Sequence, residues 1–318
     1  MKLLIIGTGG IGGFYGYKLQ HCGNQVTFTA RGCHLKALKK NGLVLEHEGT
    51  TYQANINVYS HEEIIEKFRP DDFDLIILTL KSHSTVHFVK EMGNWLKNHP
   101  TCVLSLQNGV DNENLLSNLL GKRWVIGGLA VRIGSHIVKP GIIQATGKAE
   151  IITGVWPNSG HHLDPRNAVI NQFSAALNMA SIPHQISNNI QKEMWRKLMI
   201  NNGVNPLSAI TGLDTFTLTN QEALSNIVYC MMQETIHAAS TDGVELTQQD
   251  LTEMFALIKT FNPIKTSMLI DKEQGKKMEL ESIVKAVLNR CEKIGIDAPY
   301  NKMAFALLDL EERLSLRS

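Results

Sequence analysis

The chain has 318 residues, enough for two domains, and carries 31 Lys plus Arg against 30 Asp plus Glu, a net charge of +1. That balance argues against a nucleic acid or an anionic membrane held by bulk electrostatics. With 43% hydrophobic residues, a mean hydropathy of −0.09 and no apolar run of membrane-spanning length, the composition reads as a soluble globular protein. Met1-Lys2 leads directly into a strand-like run and a glycine cluster, without a signal-peptide pattern. Cys22, Cys33, Cys102, Cys230 and Cys291 are scattered and form no C-x-x-C pair, which suggests reduced thiols in the cytoplasm and no zinc site.

The first half alternates apolar β-branched runs with helical patterns. Leu3–Ile6, Gln25–Thr29, Asp74–Leu80 and Thr101–Leu106 read as buried parallel strands, because their apolar residues continue without alternation. Ile11–Cys22, His34–Asn41, His61–Phe68 and Thr85–Leu96 read as the helices between them, which implies a parallel sheet covered on both faces. From Trp124 to Gly154 strands follow one another with glycine turns, so antiparallel strands are expected to extend the sheet. After Pro183 the helical pattern takes over, in Ile190–Val204, Gln221–Asp242, Thr247–Thr260, Met278–Ile294 and Pro299–Leu314. The expected architecture is an α/β domain over 1–187 and an all-α domain over 188–318, with a ligand site favoured in a cleft between them.

Gly7-Thr8-Gly9-Gly10-Ile11-Gly12 fits G-x-G-x-x-G, follows a strand and opens a helix. Glycine there permits a tight turn, close approach to a pyrophosphate and close helix–strand packing, while the helix N-terminus offers N–H groups to phosphate. An NAD site usually carries an acid about 20 residues on, at the end of the second strand. Here that place holds Ala30-Arg31, 19 positions after Gly12, and no acid. A guanidinium can grip a 2′-phosphate that a carboxylate would repel, so the expected cofactor is NADP(H). Lys81, after the strand Asp74–Leu80, can add a second positive contact.

In the second half, Lys197, Asn201 and Asn205 are spaced to share one helix face among apolar neighbours, and Pro206 is expected to end that helix. A polar face on a buried helix invites a ligand; the competing reading is a surface ion pair between Glu193 and Lys197. Glu279 starts the apolar face formed by Ile283, Val287 and Cys291, so it either points inward and needs a partner or sits in a frayed first turn; Glu281 and Lys285 can pair outside. Asn108-Gly109 reads as a turn, with Asp111 capping the next helix, or as an amide beside the nicotinamide. Ser267 reads as a helix N-cap or as a pocket hydroxyl. His83 and His87 share a helix face with no third metal ligand in sight, and His161-His162 lies in a polar loop.

Taken together, these residues resemble the ketopantoate reductase family across essentially the whole chain. The resemblance rests on Gly7–Gly12, Arg31, Leu80-Lys81, Gln107-Asn108-Gly109, the run from Trp195 to Leu198 with Asn201 and Asn205-Pro206-Leu207, and Thr266-Ser267-Met268-Leu269 with Asp271 and Glu279. It implies a Rossmann domain joined to a helical domain like that of 6-phosphogluconate dehydrogenase, acting with NADPH on a small 2-keto acid, as a monomer or homodimer without a metal. It also implies that Lys197 acts on the ketone oxygen and that Glu279 holds substrate and lysine, while Asn108, Asn201, Asn205 and Ser267 line the site. Asn108 and Glu279 would also reach the cofactor. The family's Pro-Asn-Gly-like stretch is replaced here by Leu213-Asp214-Thr215-Phe216, which leaves open another 2-keto acid, with Thr215 reshaping the pocket. A non-catalytic NADP(H)-binding regulator is the alternative from a different class.

Overall fold

Leu3, Leu4, Ile5 and Ile6 have no polar face to turn toward water, so β1 (Lys2–Ile6) takes the middle of a sheet with every one of them fully buried. The computed structural model describes residues 1–158 and 164–315; the His161-His162 pair lies outside them. Chain order continues through α1 (Gly10–His21), β2 (Gln25–Thr29), α2 (Gly32–Asn41), β3 (Leu43–His47), β4 (Thr50–Ala54), β5 (Asn57–Tyr59), α3 (His61–Lys67), β6 (Leu75–Leu78) and α4 (Thr85–Lys97). There follow β7 (Val103–Ser105), α5 (Asn112–Leu120), β8 (Val125–Val131), β9 (Gly134–Lys139), β10 (Ile142–Thr146), β11 (Glu150–Val155), α6 (Arg166–Met179) and β12 (His184–Ile186).

The main sheet has the order β12-β11-β8-β7-β6-β1-β2-β5. Its six strands from β8 to β5 are all parallel and follow the doubly wound 3-2-1-4-5-6 pattern, with the switch point between β1 and β6. Of the strands expected to extend the sheet, β8 joins it parallel to β7, and β11 joins it antiparallel to β8. The other two correct the expectation: β9 and β10 leave for a second sheet, β4-β3-β10-β9. The hairpin β3–β4, which periodicity did not single out, turns at Glu48 (φ 48°) and Gly49 (φ 76°) and buries Leu43 and Leu45 on its inner face.

Glycine is what allows α1 to lie between the two sheets. A Cβ on Gly12 would stand 2.1 Å from the Gly7 carbonyl oxygen and 2.4 Å from Thr79 Oγ1, on the main-sheet side. On the other side, a Cβ on Gly10 would stand 2.2 Å from the Ser135 carbonyl oxygen of β9.

The helical part comprises α7 (Ile190–Thr211), α8 (Thr215–Asn220), α9 (Glu222–Ser240), α10 (Gln248–Lys259), α11 (Ser267–Glu273), a π-helical turn over Glu281–Lys285 that runs into α12 (Ala286–Lys293), and α13 (Pro299–Ser315). Pro206 does not end α7, contrary to expectation: the helix continues to Thr211, with Val204, Leu207, Ser208 and Ala209 all buried. Proline removes one helical hydrogen bond, and packing of the turns on either side outweighs that loss.

The chain forms two compact units, Met1–Gln107 with Asn112–Ile190, and Asn108–Asp111 with Gln191–Ser318. The sequence division at 187/188 kept all of the first half together, whereas the short segment 108–111 packs with the helical unit. No helix among the described residues is long and apolar enough to cross a membrane.

Gly12→Ala is expected to lower Tm by several degrees in a cofactor-free melt, since both atoms its methyl meets are held by the fold and overpacking costs about 1–3 kcal/mol. Gly9→Ala, with nothing within 4 Å of its Cβ, is expected to melt with the wild type.

Candidate active site

In the first unit the glycine turn is tied to β2. Gly7 N donates to Thr29 Oγ1 (2.9 Å), and Thr8 N and Oγ1 both donate to the Thr29 carbonyl (2.8 Å each). The Thr8 hydroxyl is therefore spent on the scaffold. Across the sheet, Thr79 Oγ1 donates to the Gly7 carbonyl (2.7 Å). α1 begins with Gly9 as N-cap, has no side-chain cap and has no acid in its first turn. Its leading N–H groups and dipole thus meet no carboxylate of their own turn.

Arg31 is exposed at the end of β2, as N-cap of α2, and Lys81 is exposed shortly after β6. Two cations and an uncapped helix N-terminus thus sit at the carboxyl ends of β1, β2 and β6, where a doubly wound sheet presents its ligand site. These features fit a dinucleotide, and the open space around Gly9 leaves room for a backbone approach to pyrophosphate.

His34 escaped the sequence reading. Gly141 N donates to its Nδ1 (3.0 Å), which leaves Nε2 to carry the proton and donate to the Thr8 carbonyl (2.8 Å). Burial lowers its pKa, with the Thr8 bond opposing. A histidine on a predicted helix surface carries no signal of a partner more than 100 residues away.

The second unit gathers the other candidates. Lys197 is half-buried on α7, and burial lowers its pKa to about 8, while the charge of Glu279 acts in the opposite sense. The carboxylate that acts on Lys197 is that of Glu279, not the Glu193 of the competing reading. Glu279 is 3% exposed, and Asn108 Nδ2 donates to its Oε2 at 3.0 Å. Of the two readings of Glu279, the inward one holds. Ile283, Val287 and Cys291 are buried behind it, and Glu281 pairs with Lys285 at 3.0 Å on the outside. The helix starts with a π-helical turn, the kind of irregularity that recurs at functional sites.

Gly109, at φ +93°, lies so close to that turn that a Cβ would be 3.0 Å from the Ser282 carbonyl oxygen. Asn205 is 5% exposed with no side-chain hydrogen bond among the described residues, and Asn201 is half-buried on the same helix face. Asn202, which sequence spacing passed over, turns the other way and donates to Thr235 Oγ1 (2.9 Å).

Ser267 is exposed at the first position of α11 and does not cap it. The cap is Thr266, whose hydroxyl accepts from Leu269 N at 3.3 Å. Thr215, expected to reshape the pocket, is internal instead: it is 2% exposed, and its Oγ1 donates to the Asn262 carbonyl at 3.2 Å. His87 faces Glu91 at 3.7 Å.

The first unit is a dinucleotide-binding domain, and the class follows from it: this is an oxidoreductase working with a nicotinamide cofactor, whose helical unit keeps a lysine amine poorly solvated beside a carboxylate. Comparison with known proteins narrows the class. The profile of Ketopantoate reductase PanE/ApbA matches residues 3–158, and that of its C-terminal domain matches residues 189–312. The chain is 30% identical over 317 residues to a 2-dehydropantoate 2-reductase of Pyrococcus horikoshii, covering 99% of this chain and 98% of that protein. A PanE/ApbA family ketopantoate reductase from Ralstonia eutropha superposes with a TM-score of 0.85 at 27% identity, covering 99% of this chain and 100% of that one. D-mandelate dehydrogenase, solved with NADH and anilino(oxo)acetate, shares the fold with a TM-score of 0.89 at 22% identity and 99% coverage of both chains. The chain belongs to the ketopantoate reductase family.

The lowered pKa of Lys197 has a consequence for stability. Between about 8 and the ordinary 10.5, the unfolded chain holds a proton on this amine that the folded chain does not. The unfolding free energy therefore rises with pH across that window. Urea titrations at pH 8 and pH 10 are expected to show this gain in the wild type relative to Lys197→Met; equal pH dependence in the two would contradict it.

Proposed function

We propose that the protein reduces 2-dehydropantoate to (R)-pantoate with NADPH, a step of pantothenate and coenzyme A biosynthesis in the cytoplasm. The observation that carries the reading is Lys197: its amine is drawn out of water, its pKa is lowered to about 8, and the charge of a buried carboxylate, Glu279, acts on it. The turn Gly7–Gly12, including Thr8, Gly9, Gly10 and Ile11, would hold the pyrophosphate, with Arg31 and Lys81 on the 2′-phosphate and Asn108 and Glu279 toward the nicotinamide. When bound, NADPH supplies the hydride.

The chain's own part is charge and proton management. As a ketone carbon accepts hydride, negative charge grows on its oxygen, and Lys197 stabilises that charge and donates the proton. A lysine with a pKa near 8 gives up its proton more readily than one at 10.5 while remaining mostly charged at neutral pH. Glu279 orients the amine and accepts from a substrate hydroxyl. Asn201, Asn205 and Ser267 supply neutral donors for the substrate; the amide of Asn205, which makes no side-chain hydrogen bond among the described residues, supports that role.

A second reading, reduction of a different 2-keto acid, has its own support. Asp214 caps α8 by accepting from Thr217 N at 2.8 Å, and Thr215 is internal, so the stretch that holds an amide in many relatives is spent here on starting a helix.

The test is NADPH consumption against a panel of 2-keto acids, 2-dehydropantoate included, repeated with NADH. The highest kcat/KM is expected for 2-dehydropantoate with NADPH; comparable values with NADH would defeat the argument from Arg31. Lys197→Ala is expected to lower kcat by about 10²–10³ with cofactor affinity unchanged. Arg31→Glu is expected to weaken NADPH binding and spare NADH.

A further inference from the structure

Arg290 is 7% exposed on α12, outside every motif discussed so far. Its guanidinium joins four segments of the helical unit. Nη2 donates to Asp111 Oδ1 at 2.6 Å and to Asp242 Oδ2 at 2.8 Å, and Nε donates to Asp242 Oδ1 at 3.0 Å. Nη1 donates to the Ala286 carbonyl at 3.2 Å, where the π-helical turn runs into α12. The plane lies over the Trp195 ring, 5.2 Å from its centroid, and Trp195 stands two residues before Lys197 on α7.

We propose that Arg290 is a positioning residue for the Lys197–Glu279 pair, acting through Asp111. The segment 108–111 enters from Gln107 and leaves at Asn112, both in the other unit, so four residues pack with the helical unit while their neighbours in the chain do not. Side-chain bonds fasten them there at both ends, Asn108 to Glu279 at one and Asp111 to Arg290 at the other. A short bond between opposite charges at the far end of the loop adds to the hold that the Asn108 amide gives it. Arg290 thereby keeps the Asn108 amide on Glu279, and Glu279 in the place where its charge acts on Lys197.

The two carboxylates on Arg290 allow a controlled comparison. Asp111→Ser cuts the link to the loop, and serine serves as well as aspartate at a helix N-cap, should α5 need one. Asp242→Ser removes the other carboxylate from the same guanidinium without touching the loop. The inference rests on the reductase reading only for its kinetic arm, so the primary readout is substrate-free: the rate of acetylation of Lys197 by dilute acetic anhydride against pH, followed by mass spectrometry of its peptide. Losing the fixed carboxylate lowers the pKa of Lys197 further. Asp111→Ser is therefore expected to react about twofold faster than wild type at pH 7.5, a shift of about half a pKa unit, with Asp242→Ser at the wild-type rate. Asp111→Glu, for which the adjoining cavity of about 410 Å³ gives room, is expected to restore the wild-type profile.

In turnover with a 2-keto acid and NADPH, Asp111→Ser is expected to lose about tenfold in kcat, with Asp242→Ser at the wild-type value. A wild-type labelling profile in Asp111→Ser, or an equal shift in Asp242→Ser, overturns the positioning role. Failure of the wild type to reduce any keto acid, with the labelling pattern intact, overturns the substrate reading alone.

Discussion

An ammonium drawn out of water must be compensated by groups that cannot drift away, and in the helical unit that requirement falls on Lys197. Desolvation pulls its pKa from 10.5 to about 8 even with Glu279 acting against it. Glu279 is itself buried, so it in turn needs a donor, which Asn108 provides. Each group is tolerable only because the next is fixed. The π-helical turn after Glu279, the close approach of Gly109 to Ser282 and the guanidinium of Arg290 are the mechanical end of that chain. A pair of this kind costs stability at neutral pH, a common expense at sites shaped for chemistry.

The first unit solves a different problem, which is close approach. α1 must touch the main sheet on one side and β9 on the other while presenting its N-terminus to a ligand. Side chains at Gly10 and Gly12 would collide with backbone oxygen on opposite sides of the helix. Glycines that read from sequence as a phosphate motif are thus also packing residues for two sheets. His34 completes the arrangement by linking the Thr8 carbonyl to Gly141 between β9 and β10.

Asp214 and Thr215 are committed to capping and packing α8, so neither side chain is free to meet a ligand. Substrate discrimination within the proposed site then falls to the face of α7, where the Asn201 and Asn205 amides offer hydrogen-bonding groups. A substrate that left those groups unpaired would bind poorly, a stronger filter than the shape of an apolar wall.

Local pattern was enough to read the doubly wound core, because continuous aliphatic runs such as Leu3–Ile6 can only be central strands and G-x-G-x-x-G between strand and helix has few other uses. It was enough, too, to place Lys197, Asn201 and Asn205 on one face, since helical periodicity is a property of the backbone. Local reading also offered Asn108 and Glu279, each with a structural alternative, and family resemblance gave them roles but not what holds them. The second sheet, the passage of α7 through Pro206, the cap at Thr266, and the links made by His34 and Arg290 came only with the folded chain. The reason is physical. Periodicity and capping act over a few residues and leave a trace in local sequence, whereas the partner of Asp111 lies 179 positions away and only tertiary packing decides which charge arrives there.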